Sequence, residues 1–168
     1  MTAGPTADEQ RDAASRRVIT EFYEAFARHD ADAMAALYVP DATFSDPAFG
    51  QLEGAEVPAM WRMLVASATD LEVGVRDVTA RGDRAAATWE ARYTFTWTGR
   101  RVLNVVEAHM TLEDGRIRRH DDHFDFWRWS RQALGPVGLL LGWSPIVRVQ
   151  VRRRARKRLE EFMARGNG

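Results

Sequence analysis

A histidine and two aspartates are the side chains of this sequence best suited to acid–base chemistry. Asp46 stands directly before Pro47, so its backbone is expected to be extended and its carboxylate to project from a strand end. His120 and Asp122 lie two residues apart, which puts both on one face of a strand. Groups of these types beside a pocket are suited to general acid–base catalysis. We therefore take Asp46, His120 and Asp122 as candidate catalytic residues.

Each of these residues also has a purely structural interpretation. Asp46 could be an Asx-type turn residue whose carboxylate accepts backbone N–H groups. His120 and Asp122 could be a buried pair that only satisfies its own hydrogen bonds. A one-residue bulge in the last strand would bring Asp121 and His123 inward instead. The sequence alone leaves these alternatives open.

The hydrophobic pattern places the candidates in a domain that begins with helices and continues with strands. Thr6 and Glu9 form a capping-box pattern that opens a long first helix, and Asp30 is suited to cap a short second one. A third helix is predicted from about residue 55 to residue 68. Further along, the period changes to two, most clearly in residues 88–97. This order predicts an α+β fold with helices on one face of the sheet.

Three local predictions concern the surroundings of the candidate residues. Pro40 is expected to end the second helix, and residues 42–44 to form a brief strand after it. Residues 50–54 are predicted to be a loop, because glycines stand at both ends. The last strand is predicted to run from about residue 116 to residue 127, with phenylalanines that mark its inward face.

The composition is typical of an ordinary globular domain. The chain has 168 residues, is 45% hydrophobic, and has a formal net charge of zero, so no global field favours nucleic acid or an anionic membrane. There is no cysteine, which excludes disulfides, thiolate nucleophiles and cysteine-bound metals. His109 is expected to face outward and the histidine spacing matches no strong metal motif, so we predict no metal site and no cofactor.

The segments at the two ends are predicted to lie outside the main domain. Residues 1–7 are expected to be a disordered N-terminus, residues 8–130 the domain, and residues 131–168 a helical extension with many arginines. The apolar stripe of the last helix is expected to pack on the domain. Neither a secretory signal nor a membrane-spanning run is visible, so we expect a cytoplasmic protein. Nucleic acid is not expected as a partner, and membrane contact by the extension is a less favoured alternative.

Several stretches of the sequence form recognisable motifs. They are Phe22-Tyr23-x-Ala25-Phe26 with His29-Asp30, Leu37-Tyr38-x-Pro40-Asp41-Ala42-Thr43-Phe44-x-Asp46-Pro47, Gly54 before the third helix, and His123-Phe124-Asp125. Together these motifs resemble the nuclear transport factor 2-like superfamily, in its SnoaL-like and ketosteroid isomerase-like branch, over roughly residues 18–127. The resemblance implies a cone in which a curved antiparallel sheet wraps around three N-terminal helices, a pocket for a small hydrophobic molecule, and a homodimer formed through the sheet.

Proteins of this superfamily catalyse different reactions, and each reaction implies a role for different residues of this sequence. In ketosteroid isomerases the aspartate before the proline is the general base, and Asp46 occupies that place. Phe22 stands where the tyrosine of their oxyanion hole would be, and Ala108 stands near where its protonated aspartate would be. Steroid isomerisation by that route is therefore not expected. In limonene epoxide hydrolase-like proteins and SnoaL-like cyclases a last-strand aspartate is the acid or acid–base group, and Asp122 matches it.

Together these features predict a cofactor-independent acid–base enzyme of isomerase, cyclase or epoxide-hydrolase type, with a small apolar or polycyclic substrate. Asp46 or His120 would act as the base, and Asp122 as the proton donor or as the group that orients His120. The alternative is a non-catalytic small-ligand-binding or accessory protein of the same fold. The predicted substrate-binding residues are mostly aromatic. Among them Tyr23, Tyr93 or Asn104 would polarise a substrate oxygen. The full set is Phe22, Tyr23, Phe26, Trp61, Trp89, Tyr93, Asn104, Ala108 and Phe124.

Overall fold

Residues 4–166, which the computed structural model describes, form helices and a six-stranded sheet. The first three residues of the predicted disordered N-terminus lie outside this range. The helices are α1 (Ala7–Ala27), α2 (Ala31–Ala36), α3 (Glu56–Ser67), α4 (Phe126–Leu134), α5 (Pro136–Leu141) and α6 (Pro145–Gly166). The strands are β1 (Tyr38–Asp46), β2 (Gly50–Glu53), β3 (Glu72–Arg81), β4 (Arg84–Phe95), β5 (Arg100–Glu113) and β6 (Arg116–His123).

The strands form one curved, open sheet in the order β2-β1-β6-β5-β4-β3. Neighbouring strands are antiparallel except β1 and β6, which pair in parallel. The core lies between the sheet and the helices α1, α2 and α3, whose buried residues belong to one cluster with those of the strands. The predicted α+β cone, with a curved sheet around the N-terminal helices, is therefore confirmed.

The starts of the first two helices agree with the sequence-based prediction because local hydrogen bonds fix them. Thr6 caps α1 through the predicted capping box: Glu9 N–H donates to Thr6 Oγ1 (3.2 Å), and Thr6 N–H donates to Glu9 Oε2 (2.7 Å). Asp30 Oδ1 accepts from the backbone N–H of Ala33 (3.0 Å) at the start of α2.

Strand β1 is longer than predicted and begins before Pro40. Helix α2 ends at Ala36, so Pro40 lies inside a strand and does not end the helix. The register between β1 and β6 shifts between Tyr38 and Thr43, and this irregularity accommodates a residue that lacks an N–H. The loop predicted at residues 50–54 is also wrong, because most of it forms β2, which pairs with β1.

Strand β6 is shorter than predicted and ends at His123. The prediction that it continues to Trp127 is wrong, because Phe126 and Trp127 belong to α4. Asp125 starts this helix: its Oδ1 accepts from the backbone N–H of Arg128 (2.9 Å). The predicted boundary between residues 130 and 131 lies inside α4.

Helix α6 packs its predicted apolar stripe against the domain. Val151 and Leu159 are buried, and Ala155 and Phe162 pack against the main core. None of the helices within residues 4–166 is both long enough and apolar enough to cross a membrane.

Helices α4 and α5 meet at two glycines. A Cβ atom on Gly138 would lie 1.8 Å from the carbonyl oxygen of Ser130, and one on Gly142 would lie 2.0 Å from Ser130 Oγ. Neither position has room for a side chain. Gly138 in α5 and Gly142 directly after it therefore face α4, and the leucines of α5 point outward.

We expect Gly138→Ala to lower the free energy of unfolding by about 2 kcal/mol or more, because overpacking a close contact typically costs roughly 1–3 kcal/mol. Gly74→Ala in β3 is the matched control, since no atom lies within 4 Å of the Cβ position there. That control should be neutral or stabilising by less than about 1 kcal/mol. Urea unfolding measures both values, and equal effects would contradict a tight contact at Gly138.

Candidate functional site

An apolar cavity of about 180 Å³ lies between the sheet and the helices α1, α3 and α6. Its charged lining residues are Asp46, Asp122 and Arg158. Most of the remaining wall is aromatic or aliphatic, so the two carboxyl groups face a medium that solvates them poorly.

Six of the nine predicted substrate-binding residues line this cavity. The other three, Phe22, Tyr23 and Ala108, are buried but do not reach the wall. Ala108 lies beside Asp122 in the pairing of β5 with β6. The six that line the cavity are Phe26, Trp61, Trp89, Tyr93, Asn104 and Phe124.

A buried chain of hydrogen bonds leads from α3 to Asp122. Trp61 Nε1 donates to the Tyr38 hydroxyl (2.9 Å), which lies 2.7 Å from His120 Nδ1. His120 Nε2 lies 2.9 Å from Asp122 Oδ1. Because the indole can only donate, a single set of proton positions satisfies every group: Tyr38 donates to Nδ1, and Nε2–H donates to Asp122. In this arrangement His120 is a neutral imidazole that orients Asp122.

His120 does not line the cavity. Its side chain is 0% exposed, and the rings of Phe22, Phe44, Tyr38 and Trp61 surround it with centroid distances of 5.2–6.2 Å. The structure therefore does not support the predicted role of His120 as a base that touches the substrate. It supports a role in which His120 positions Asp122, the reverse of the predicted alternative in which Asp122 orients His120.

Strand β6 has the inward face that strict alternation predicts. His120 and Asp122 are buried, whereas His123 is exposed. Asp121 points to the other side, where it accepts a hydrogen bond from Ser45 Oγ (2.5 Å) and pairs with Arg119. The alternative in which a bulge brings Asp121 and His123 inward is wrong.

Asp122 directs its two oxygens to different partners. Oδ1 accepts from His120 Nε2–H (2.9 Å) and from Trp89 Nε1–H (3.4 Å). Oδ2 receives no hydrogen bond from the described residues, although Asp122 lines the cavity and is only 3% exposed. Oδ2 is therefore available to accept a proton from a bound molecule.

Asp46 closes a turn and also faces the cavity. Its Oδ1 accepts from the backbone N–H groups of Ala48 (2.9 Å) and Phe49 (2.5 Å), so the Asx-turn interpretation is confirmed. Burial raises the pKa of Asp46 to about 7, and the charge of Asp122 adds to the rise, while the two backbone hydrogen bonds oppose it. Near neutral pH Asp46 can therefore hold a proton and donate it.

Tyr93 adds a hydroxyl to the same cavity. It accepts a hydrogen bond from Trp129 Nε1 (2.8 Å), and its own proton has no acceptor among the described residues. Burial raises the pKa of Tyr93 to about 12, and the charge of Asp46 contributes to this rise. The hydroxyl therefore keeps its proton at neutral pH and is a second donor beside Asp46.

The Tyr23 hydroxyl is buried without a hydrogen-bond partner in the described part of the chain. Burial raises the pKa of Tyr23 well above its usual value, and the charge of Asp122 adds to the effect. Because Tyr23 does not line the cavity, its geometry does not support the predicted role in polarising a substrate oxygen.

The histidines outside the cavity do not form a metal centre. The rings of His109 and His123 lie 5.7 Å apart on the outer face of the sheet. Among residues 4–166, no three His, Asp or Glu side chains gather in a way that could hold a metal ion.

Two parts of the site could not be identified from the sequence pattern. Tyr38 lies in β1 and bonds to His120, and no local pattern in the sequence joins these two residues. Val151 and Ala155 of α6 line the cavity, but nothing in the sequence indicates where the terminal helix docks. Phe44 could have been found, since it shares strand parity with Asp46.

The SnoaL-like domain family matches residues 19–120, which is more than half of the chain and ends at His120. The chain belongs to this SnoaL-like family. The predicted resemblance to SnoaL-like proteins is thereby confirmed, and the likeness to NTF2-like proteins is confirmed at the level of the fold. None of the curated proteins compared with the chain matches its sequence.

Solved structures with the same fold include proteins of several descriptions. A protein from Jannaschia sp. CCS1, provisionally named a SnoaL-like polyketide cyclase, is 16% identical with a TM-score of 0.66, over 80% of this chain and 99% of that one. An LEH-like epoxide hydrolase from M. tuberculosis is 21% identical with a TM-score of 0.63, over 77% and 97%. An NTF2-like protein of unknown function from Burkholderia pseudomallei K96243 is 21% identical with a TM-score of 0.62, over 71% and 97%. At these identities the likeness shows the fold alone.

Tyr38→Phe should destabilise the protein by about 1–3 kcal/mol, because it leaves buried groups of Trp61 and His120 unpaired. Tyr23→Phe is the matched control: it removes a buried hydroxyl that has no partner within residues 4–166, so it should be neutral or stabilising by about 1 kcal/mol. Chemical denaturation of both variants gives the comparison. A larger loss for Tyr23→Phe than for Tyr38→Phe would contradict the hydrogen-bond chain.

Proposed function

We propose that this SnoaL-like protein is a cofactor-independent acid–base enzyme whose substrate is a small apolar molecule with one polarisable oxygen, either a carbonyl or an epoxide. The observation that carries the proposal is a pair of carboxyl groups on one apolar cavity, in environments that separate their roles. Asp122 receives two N–H donors on Oδ1. The pKa of Asp46 is raised by burial to about 7, so a proton is available there. Pairs of this kind assign an acid and a base.

In the proposed step Asp122 Oδ2 takes a proton, from a C–H next to the carbonyl or from a water that attacks the epoxide. Asp46 or Tyr93 donates a proton to the substrate oxygen as negative charge develops on it. With a ketone, Asp122 then returns its proton to a substrate carbon while the donor recovers its proton from the enol oxygen. With an epoxide, Asp122 releases its proton to solvent and the donor regains one from solvent. Either route restores both groups to the starting state. This assignment exchanges the roles of Asp46 and Asp122 relative to those expected from the sequence.

The cavity volume supports a small substrate. About 180 Å³ corresponds to roughly 12–18 water-sized units at about 10–15 Å³ each, or about that many non-hydrogen atoms. A monocyclic or bicyclic molecule lies well within this range. Epoxides belong in the test because the similar M. tuberculosis structure is an LEH-like epoxide hydrolase.

The test is a panel of small cyclic epoxides and enolisable ketones, assayed with the wild type, Asp122→Asn and Asp121→Asn. We expect Asp122→Asn to lower kcat by at least about 100-fold, the usual contribution of a positioned acid or base. Asp121→Asn is the matched control on the same strand, because this side chain bonds to Ser45 and Arg119 outside the cavity. It should change kcat less than about threefold, within the range of ordinary surface substitutions. Equal rates for the wild type and Asp122→Asn would contradict the proposed mechanism.

A non-catalytic ligand-binding role is the second candidate. It is favoured because several polar groups of the site already have hydrogen-bond partners within the protein. Asp46 Oδ1 accepts the two backbone N–H groups of its turn, and His120 bonds to Tyr38 and Asp122. In that case members of the panel would bind, as measured by calorimetry, and would be recovered unchanged.

A further inference from the structure

All of the large apolar side chains that are exposed among the described residues fall within residues 127–149, from α4 through α5 to the start of α6. Trp143 is 72%, Ile146 70% and Leu140 68% exposed. A cluster of this kind marks an interaction surface, whereas single exposed apolar residues do not. We call it the apolar tip and define it by Leu139, Leu140, Leu141, Trp143, Ile146 and Val149.

The apolar tip is built into the fold. Because Gly138 in α5 and Gly142 directly after it pack against α4, the leucines between and beside them have no room to turn inward. Trp143 Nε1 donates to the carbonyl of Leu140 (2.9 Å). This hydrogen bond holds Trp143, which follows α5, against the last turn of that helix. Small residues thus lie inside and large apolar residues outside, the reverse of the usual arrangement in a soluble helix.

Positive charge surrounds the apolar tip. Residues 126–158 contain eight arginines and one lysine, while all 24 acidic residues of the chain lie outside this segment. Arg131 stacks over Trp127 (4.4 Å), beside the apolar tip. Among the described residues, the exposed Arg128, Arg131 and Arg153 form no salt bridge, so their charges are available to a partner.

We propose that the apolar tip inserts into the surface of an anionic lipid bilayer while the surrounding arginines contact its headgroups. Tryptophan and branched aliphatic side chains enter the boundary between headgroups and acyl chains, and flanking cations add attraction to anionic lipids. A second copy of the chain fits this surface less well, since a two-fold contact would bring two cationic segments together. The phosphates of a nucleic acid would pair with the arginines but would leave the apolar tip exposed to water.

The bilayer contact lies on an element that also covers the cavity. Helix α6 contributes Ile146 and Val149 to the apolar tip, and its Val151 and Ala155 line the cavity. Binding at the membrane therefore brings the cavity close to a phase in which small apolar molecules concentrate.

Vesicle sedimentation with the full chain tests this proposal. The probes are vesicles of phosphatidylcholine alone and of an equal mixture of phosphatidylcholine and phosphatidylglycerol. At about 0.05 M salt we expect binding to the anionic vesicles to be at least about tenfold tighter than to the neutral ones. Raising the salt to about 0.5 M should weaken it, because the Debye length shortens. On binding, the tryptophan emission should shift to the blue, and Trp143→Phe should remove most of that shift.

Three double variants assign the contact to this surface. Leu140→Ser/Ile146→Ser and Arg153→Gln/Lys157→Gln should each weaken anionic vesicle binding at least about tenfold. Arg11→Gln/Arg17→Gln on α1 is the matched control, since both arginines are exposed and lie far along the chain from the apolar tip; binding should stay within about twofold of the wild type.

Each of the following results would overturn the proposal: no binding to anionic vesicles at low salt, or binding that the Leu140→Ser/Ile146→Ser variant leaves unchanged. A dimer that this variant converts to a monomer, without vesicle binding by either form, would assign the surface to a second copy. Binding of duplex DNA without vesicle binding would assign it to nucleic acid.

Discussion

The hydrogen-bond chain from Trp61 through Tyr38 and His120 to Asp122 is the interaction on which the site depends. A carboxylate in an apolar cavity is stable only if donors replace the water it has lost. Here the donors come from α3, β1, β4 and β6, and each bond closes only when these elements are packed together. This hydrogen-bond chain therefore ties the position of the Asp122 carboxylate to the assembly of the cone, and networks of this type couple their members.

The charge of Asp122 has a consequence for Asp46 in the same cavity. Burial raises the pKa of Asp46 to about 7 and Asp122 adds to that rise, so the folded protein holds a proton that the unfolded chain releases near pH 4. The sign follows from proton binding: stability falls as the pH increases from about 4 to about 7, and the loss is complete above that range. The site is thus kept at some cost to stability at neutral pH, as is common for functional groups.

Local signals predicted the scaffold, while the site needed long-range information. The Thr6 capping box and the alternation in β6 act over a few residues, so the start of α1 and the inward face of His120 and Asp122 followed from the sequence. Pro40 was misleading because the parallel pairing with β6 tolerates it at a register shift. The role of His120 depends on Tyr38, which lies 82 residues away in the chain. The apolar stripe of α6 predicts that the helix packs on the domain, but it does not indicate that the helix packs over the cavity.

The protonation of Asp46 is the central claim, and carbon NMR of protein labelled with carbon-13 in its aspartate carboxyl groups tests it most directly. The account predicts one aspartate resonance that titrates near pH 7, well above the ordinary value of about 3.9. This resonance should be absent in Asp46→Asn, a variant that keeps an oxygen to accept the backbone hydrogen bonds of the turn. Titration of all aspartates below about pH 5 would contradict the account, as would a resonance near pH 7 that persists in Asp46→Asn.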